Sequence, residues 1–493
     1  MNRWQSNPLI YEINTWVWLH DLSQQEKRKV TLFSVPAGVW DELVELKFDA
    51  VWFMGVWERS PAGIAISNRH PGNLSDFRRA LPDFVLADNV GSPYCIRRYR
   101  VDEHLGGAEG LKTARHELAK RGIRLILDFV PNHLAHDHHW VSEHPEFFIQ
   151  GTEEDLKRDP GTYTKLGKMI FACGKDPNYP AWQDVLQVNI FNDGLRDAIH
   201  ETILDIATQC DGIRCDMAML LMNEIFGRTW GERAGPQPAT EFWSDLISSI
   251  KISNPRFLFI AEAYWNLEWQ LQQQGFNFCY DKRLYDLMEQ GNVEGIRLHL
   301  KADIGFQSKL IRFIENHDEP RALSVFHEEK KRAAAIAITT LPGAVLFHEG
   351  QLDGRQVRLP VFLSRRPWEV IHREIKNYYK KIFSIVSELA FYQGSWRLCE
   401  CFGWPDNSSF QNLLAWVWKG EKEHFLIVIN FCPHDAQGKV RLPIEEIEGF
   451  QWRLTDLLSG ESYEREGNEM TGQGLYVGLK PWSSHFFSLC SIE

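Results

Sequence analysis

The stretch Gly212-Ile-Arg214-Cys-Asp216 decides how this chain is read. It begins β-prone and apolar and stops abruptly in a cation and a carboxylate two residues apart. Three more segments share that grammar: Asp128-Phe-Val-Pro-Asn132-His133, Ile260-Ala-Glu262-Ala and Ile314-Glu-Asn316-His317-Asp318. Each follows or completes an apolar run (Ile123 to Leu127, Phe257 to Ala261, Leu310 to Ile314) and ends in charged or imidazole side chains. A (β/α)8 barrel assembles its site from the C-terminal ends of its strands, so strands that end this way suit that fold.

Working outward, short apolar runs alternate with helical patterns over the first two-thirds of the chain, as in parallel α/β folds. Eight strands are expected: Ile10–Thr15, Ala50–Met54, Ile123–Asp128, Gly212–Cys215, Phe257–Ala261, Phe276–Tyr280, Lys309–Ile314 and Ala344–His348. Between them, Leu195, Ile199, Ile203, Ile206 and Ala207 fall on one helical face, and a helix over Glu109–Arg121 ends before Gly122. Two intervals, Met54 to Glu109 and Leu134 to Val188, exceed plain connections; long loops of this kind usually carry function. From about Gly394, β-prone runs replace helices: Leu413–Lys419, Phe425–Phe431, Lys439–Pro443, Gln451–Leu457 and Leu475–Leu479. The expected fold class is α/β, a (β/α)8 TIM barrel (residues 1–133 and 189–390) with an inserted subdomain after the third strand (134–188) and a C-terminal antiparallel β-sandwich (391–493).

At 493 residues, a large barrel plus an accessory domain is a reasonable division. A net charge of -12 argues against a nucleic-acid partner, which requires a concentrated basic surface. The short cluster Lys27-Arg28-Lys29 reads as a solvated loop. Nine irregularly spaced cysteines suggest neither a disulfide framework nor a metal cluster, and Cys210, Cys215 and Cys279 lie in apolar runs as buried thiols. The N-terminal segment, Met1 to Pro8, lacks a signal-peptide core, and no stretch reaches membrane-spanning length. These features lead to the expectation of a cytoplasmic protein with no membrane partner and an intracellular small-molecule substrate. Oligomeric state is open.

The four segments resemble, in order, the signature regions of the α-amylase family, glycoside hydrolase family 13. Gly91-Ser-Pro-Tyr94 and Leu341-Pro-Gly-Ala-Val-Leu-Phe-His-Glu349-Gly are similar to further family pieces, so the resemblance spans nearly the whole chain. It implies a retaining enzyme acting on α-glucosidic bonds, with Asp216 as nucleophile, Glu262 as acid/base and Asp318 as the third carboxylate, binding sugar hydroxyls. His133 and His317 resemble the histidines that bond the same sugar, and Tyr94 the tyrosine beneath it. Asn132 matches a position that holds structural calcium in many members. The oxygen ligands would come from the inserted segment, where Asp155, Asp159, Asp176 and Asp184 are available; the chemistry itself requires no cofactor.

The residues support these roles independently. Retaining chemistry needs two close carboxyl groups, one to attack and one to protonate. Arg214 and Asp216 share a strand face at i and i+2, so the cation is expected to hold the nucleophile ionised; a structural ion pair is the plain alternative. Asp211 precedes the same strand and would lie at the opposite face of the barrel. Glu262, followed by Tyr264 and Trp265, is expected to have a raised pKa. Neutral imidazoles at His133 and His317 would match sugar hydroxyls, and Asp128 is expected to orient neighbours such as Arg214.

Two departures from the family pattern narrow the expectation. Where many starch-cleaving members carry Lys-His after the nucleophile, this chain has Met217-Ala-Met219-Leu220-Leu221, read as an apolar wall on the leaving-group side. After Tyr94 come Cys95-Ile-Arg97-Arg98-Tyr99 where acidic residues are common. The expected function is hydrolysis of a small intracellular α-glucoside or short α-glucan. The alternatives are an α-glucan transglycosylase and, in another class, an inactive amylase-fold carbohydrate-binding protein. Tyr179 and Trp182 are read as core of the inserted segment.

Overall fold

A computed structural model describes residues 4, 7–388, 392, 394–421 and 423–492. Eight parallel strands close into a barrel: β1 (Leu9–Asn14), β2 (Ala50–Met54), β3 (Arg124–Phe129), β4 (Gly212–Cys215), β5 (Leu258–Ala261), β6 (Phe278–Tyr280), β7 (Leu310–Arg312) and β8 (Ala344–His348). Each pairs with its sequence neighbours, and β1 meets β8 to close the ring. All eight coincide with the runs expected from sequence, with ends shifted by a few residues. The strands are buried along nearly their whole length because helices cover the outside and side chains fill the inside. Helices Gly107–Lys120 and Asp193–Gln209 are two of these covers; the second buries Leu195, Ile199, Ile203 and Ile206. Each such side chain stabilises by about 1.5–3 kcal/mol relative to exposure.

Register decides what meets at the open end. Cys215 pairs with Ala261, so Asp216 and Glu262 leave adjacent strands side by side. Arg214 pairs with Asp128 on its other edge. Glu12 lies level with Trp52 on one neighbour and His348 on the other. Gly212 permits the close approach of β4 to β5, since a Cβ there would sit 2.6 Å from the Leu258 side chain.

After β3, His133–Ala135, Trp182–Gln187, Met169–Gly174 and Tyr163–Leu166 form a four-stranded antiparallel sheet beside the barrel mouth. Trp57–Arg59 and Ile96–Val101 pair in the excursion after β2. Beyond helix Arg373–Glu388, a six-stranded and a three-stranded antiparallel sheet enclose a second core that includes Val417, Val428, Leu454 and Leu489. The expected 390/391 division and most of the N-terminal segment (residues 1–3, 5 and 6) lie outside the described residues. Among the described residues no helix is long and apolar enough to cross a membrane. Cys210, Cys215 and Cys279 are buried free thiols, as expected.

Candidate active site

Arg214, fully buried, is the hub of the barrel mouth. Its Nη1 donates to Asp216 Oδ1 at 2.7 Å, and its Nη2 lies 2.7 Å from Glu262 Oε1. The second contact is electrostatic only, because Nη2 has no aligned hydrogen-bond acceptor. The guanidinium is also boxed by the rings of Trp52, Tyr94 and Tyr280 at 5.2–5.6 Å. One cation therefore serves two carboxyl groups, where the sequence suggested it served Asp216 alone.

Glu262 is held at both oxygens. The Met217 N–H donates to Oε2 at 2.6 Å, and the Tyr264 hydroxyl bonds Oε1 at 3.0 Å. Met217 has φ +44°, a left-handed conformation rare for a side chain of this size, and that turn aims its amide at the carboxyl. Burial, opposed by Arg214, pushes Glu262 up to about 7. Burial also raises Asp216 above the usual aspartate range although Arg214 pulls it down, so the expected charge effect is present but outweighed. The aligned Arg214 bond goes to Asp216 and not to Glu262, which makes Asp216 the better-stabilised anion of the two.

Asp318 opens to the cleft, its side chain 44% exposed. Desolvation opposes its ionisation, but His317 Nε2, 3.0 Å from Oδ2, brings it down to about 2. His317 also contacts the Tyr94 hydroxyl at 2.6 Å through Nε2, and Glu12 Oε1 through Nδ1. Although burial alone would lower it, Asp318 and Glu12 raise His317 well above the ordinary histidine range. The neutral imidazole expected from sequence is thus corrected: with carboxylates at both nitrogens, the cation is the favoured form. His133 is the neutral member, taken down to about 3 by burial. It packs on Trp182 with ring centroids 5.1 Å apart.

Asp128 does not open onto the cleft and so cannot touch a substrate, which corrects its expected place in the binding set. Its oxygens accept from Trp52 Nε1 at 3.1 Å and the Gly55 N–H at 2.8 Å. Arg214 reaches it through charge, and burial raises it to about 6. Gly55, at φ +76°, offers that amide where a side chain would be strained and would collide with Arg59. Asp211 lies before β4 at the other end of the barrel, 3.0 Å from Arg115, as expected.

Several expectations for the surrounding segments change. Ala218 to Leu221 are buried in the core, so the expected apolar wall reduces to Met217. Tyr179 is 65% exposed and belongs to no core. The calcium expectation does not fit these side chains: Asn132 and Gln187 exchange amide contacts, Nε2 to Oδ1 at 2.9 Å and Nδ2 to Oε1 at 3.3 Å. Asp155 is committed to Thr152, Arg158 and Arg233. Among the described residues no three His, Cys, Asp or Glu side chains gather as a metal site. A cavity of about 810 Å³ lined by Trp16, Arg59, Arg97 and His104 includes none of the three carboxylates.

Glu12, the Tyr264 hydroxyl's bond to Glu262 and the Met217 amide were missed by the sequence reading. Tyr264 had a signal, since i and i+2 past a strand end share a side. Glu12 had a fainter one, a lone carboxylate inside the apolar strand Leu-Ile-Tyr-Glu-Ile-Asn.

The fold and this mouth define a (β/α)8-barrel protein with three carboxyl groups, an arginine and a charged histidine at the C-terminal ends of its strands. The chain belongs to the α-amylase family of glycoside hydrolases: the model of the α-amylase catalytic domain matches residues 41–417. It is 25% identical over 371 residues to the α-amylase MalA of Haloarcula japonica, covering 72% of this chain and 45% of that protein. It is 22% identical over 429 residues to the 1,4-α-glucan branching enzyme GlgB 2 of Clostridium perfringens, covering 77% and 59%. The chain thus spans about half the length of these curated relatives. Among solved structures, the maltogenic α-amylase AmyB of Thermotoga neapolitana superposes with TM-score 0.70 at 18% identity, covering 98% of this chain and 99% of that one.

Proposed function

We propose that this protein hydrolyses α-glucosidic bonds with retention, through a glucosyl ester on Asp216. The observation that carries the reading is Arg214 touching Asp216 and Glu262 with adjacent nitrogens, 2.7 Å to each. Two carboxyls on one guanidinium suit the spacing of retaining enzymes, about 5–5.5 Å, better than the about 6.5–9.5 Å of inverting ones. Asp216 attacks C1 while Glu262 gives its proton to the departing oxygen. The Met217 N–H donates to Oε2 and the Tyr264 hydroxyl to Oε1, which holds the carboxyl in place for the transfer. Water, deprotonated by Glu262, then cleaves the ester and restores both carboxyls. Tyr94 lies beneath the sugar, while Asp318, His317 and His133 hold its hydroxyls and grip harder as the ring flattens toward the oxocarbenium ion.

The substrate proposed is a small α-glucoside or short α-glucan in the cytoplasm, cleaved without a metal. Met217, the residue after Asp216 that stays at the mouth, is apolar, which supports that scope. Transfer to a sugar hydroxyl is the second reading, since it shares the ester and differs only in the acceptor. Asp216→Asn tests the reaction: it should abolish turnover of an aryl α-glucoside, and comparable turnover would overturn the assignment. Product analysis at high donor concentration separates the two outcomes, because dominant longer oligosaccharides would make the protein a transglycosylase.

A further inference from the structure

Lys29 and the basic run Arg97 to Arg100, far apart in sequence, meet around the cavity of about 810 Å³ that holds none of the three carboxylates. Its floor is apolar and buried: Leu19 from helix Thr15–Glu26, then Val30, Val101 and Leu105. Trp16, Ile64 and Val90 form half-buried sides. An apolar hollow with a few polar groups around it has the make-up of a small-molecule site, for which about 300–1,000 Å³ is usual.

The charges around it do not balance. Lys29, Arg59, Arg97, Arg98 and Arg100 outnumber the lining carboxylates Glu58, Asp102 and Glu103, in a protein whose net charge is -12. Each of those carboxylates is already engaged. Glu58 accepts from Arg97 at 2.7 Å, Glu103 from Arg100 at 2.9 Å and Asp102 from the His104 amide at 2.8 Å. Lys29 and Arg98 are exposed, and their side chains make no hydrogen bond or ion pair with the described residues. Arg59 is the third cation left over. It is buried against the Trp16 ring, 5.4 Å from the centroid, and its Nη1 donates only to carbonyls, of Gly91 at 2.6 Å and Val361 at 3.3 Å. Its Nε and Nη2, and Nε1 of Trp16, are buried donors with no acceptor among the described residues. Buried donors left unpaired are rare and costly, and a wall with donors and positive charge in excess favours an acceptor-rich, anionic ligand.

We propose that this cavity is a second binding site, taking a small amphipathic anion whose apolar body rests on the buried floor and whose anionic group is held by Lys29 and Arg98. A neutral sugar offers no charge and little apolar surface, so it fits this lining poorly. The cavity is thus separate from the glucoside site in chemistry as well as in place, and the proposal stands apart from the hydrolase reading.

The test titrates the intact protein with 8-anilinonaphthalene-1-sulfonate, an apolar body carrying one sulfonate, and with N-phenyl-1-naphthylamine, the same body without charge. Fluorescence should show saturable binding of the sulfonate dye and affinity lower by about tenfold for the uncharged one, the expected loss of a charged hydrogen bond. The double variant Lys29→Ala/Arg98→Ala alters two exposed side chains. It should weaken the sulfonate dye by about tenfold and leave both the uncharged dye and the melting temperature unchanged. Ala87→Trp places an indole at an exposed position of the lining and should weaken both dyes. Equal affinity for the two dyes, no saturable binding of the sulfonate dye, or sulfonate-dye affinity unchanged in either variant overturns the proposal. None of these outcomes bears on the hydrolase reading, because Asp216, Glu262 and Asp318 are untouched and no turnover is measured.

Discussion

Glu12 on the first barrel strand accepts a hydrogen bond from His317, 305 residues away, across the inside of the barrel mouth. The carboxylate is fully buried, and the imidazole passes its charge on to Asp318 and Tyr94. Asp318 owes its low pKa to His317, which touches it, and Glu12 helps hold His317 in the charged form.

Glu12→Gln should therefore weaken substrate binding more than it alters the reacting pair. Without the anion, His317 titrates nearer its ordinary value, and Asp318 loses a full-time cation. Removing one partner of a buried pair costs about 3–5 kcal/mol. The raised His317 pKa supplies stability that is complete below the unfolded histidine value and lost as pH rises through the folded one. In the variant that loss should move to lower pH, measured by denaturant unfolding across pH; an unchanged unfolding profile would refute the coupling.

Glu262→Gln should slow substrates with poor leaving groups by about 10²–10⁴-fold and leave activated aryl glucosides much less affected in the first step. Only the former need a proton at the departing oxygen. A uniform loss across leaving groups, measured in single turnovers, would count against Glu262 as the acid.

The pH profile should carry the same signature. Glu262 must be protonated to act, and burial sets it at about 7. For poor leaving groups, kcat/KM should fall about tenfold per pH unit above that value, and in Glu262→Gln this alkaline limb should vanish. Asp318, at about 2, adds no limb near neutrality. A flat profile to pH 9 in the parent enzyme would contradict the assignment.

Chelation should leave the protein unchanged. Asn132 spends its amide on Gln187, and Asp155 is held by two arginines. Excess EDTA should shift neither the melting temperature nor the initial rate. A clear drop in Tm, restored by calcium, would show that oxygen ligands gather here after all.

The sequence by itself determined the barrel and the four segments at its mouth. Strand and helix periodicities are local, and β4, β5 and β6 end where their apolar runs end. The pairing of Arg214 with Asp216 was legible for the same reason, since two residues along one strand face need no knowledge of the fold. Only the tertiary structure decided the rest. Arg214 reaches Glu262 because β4 and β5 pair in a particular register. His317 becomes a cation because ring closure brings β1 beside β8 and lays Glu12 beneath it. The segment after β8 is fastened to the excursion after β2 because the two, far apart in sequence, share a small core around Leu363. Each is a contact between distant segments. Its energy depends on burial and alignment that arise only when the barrel closes, and no window of neighbouring residues contains that information.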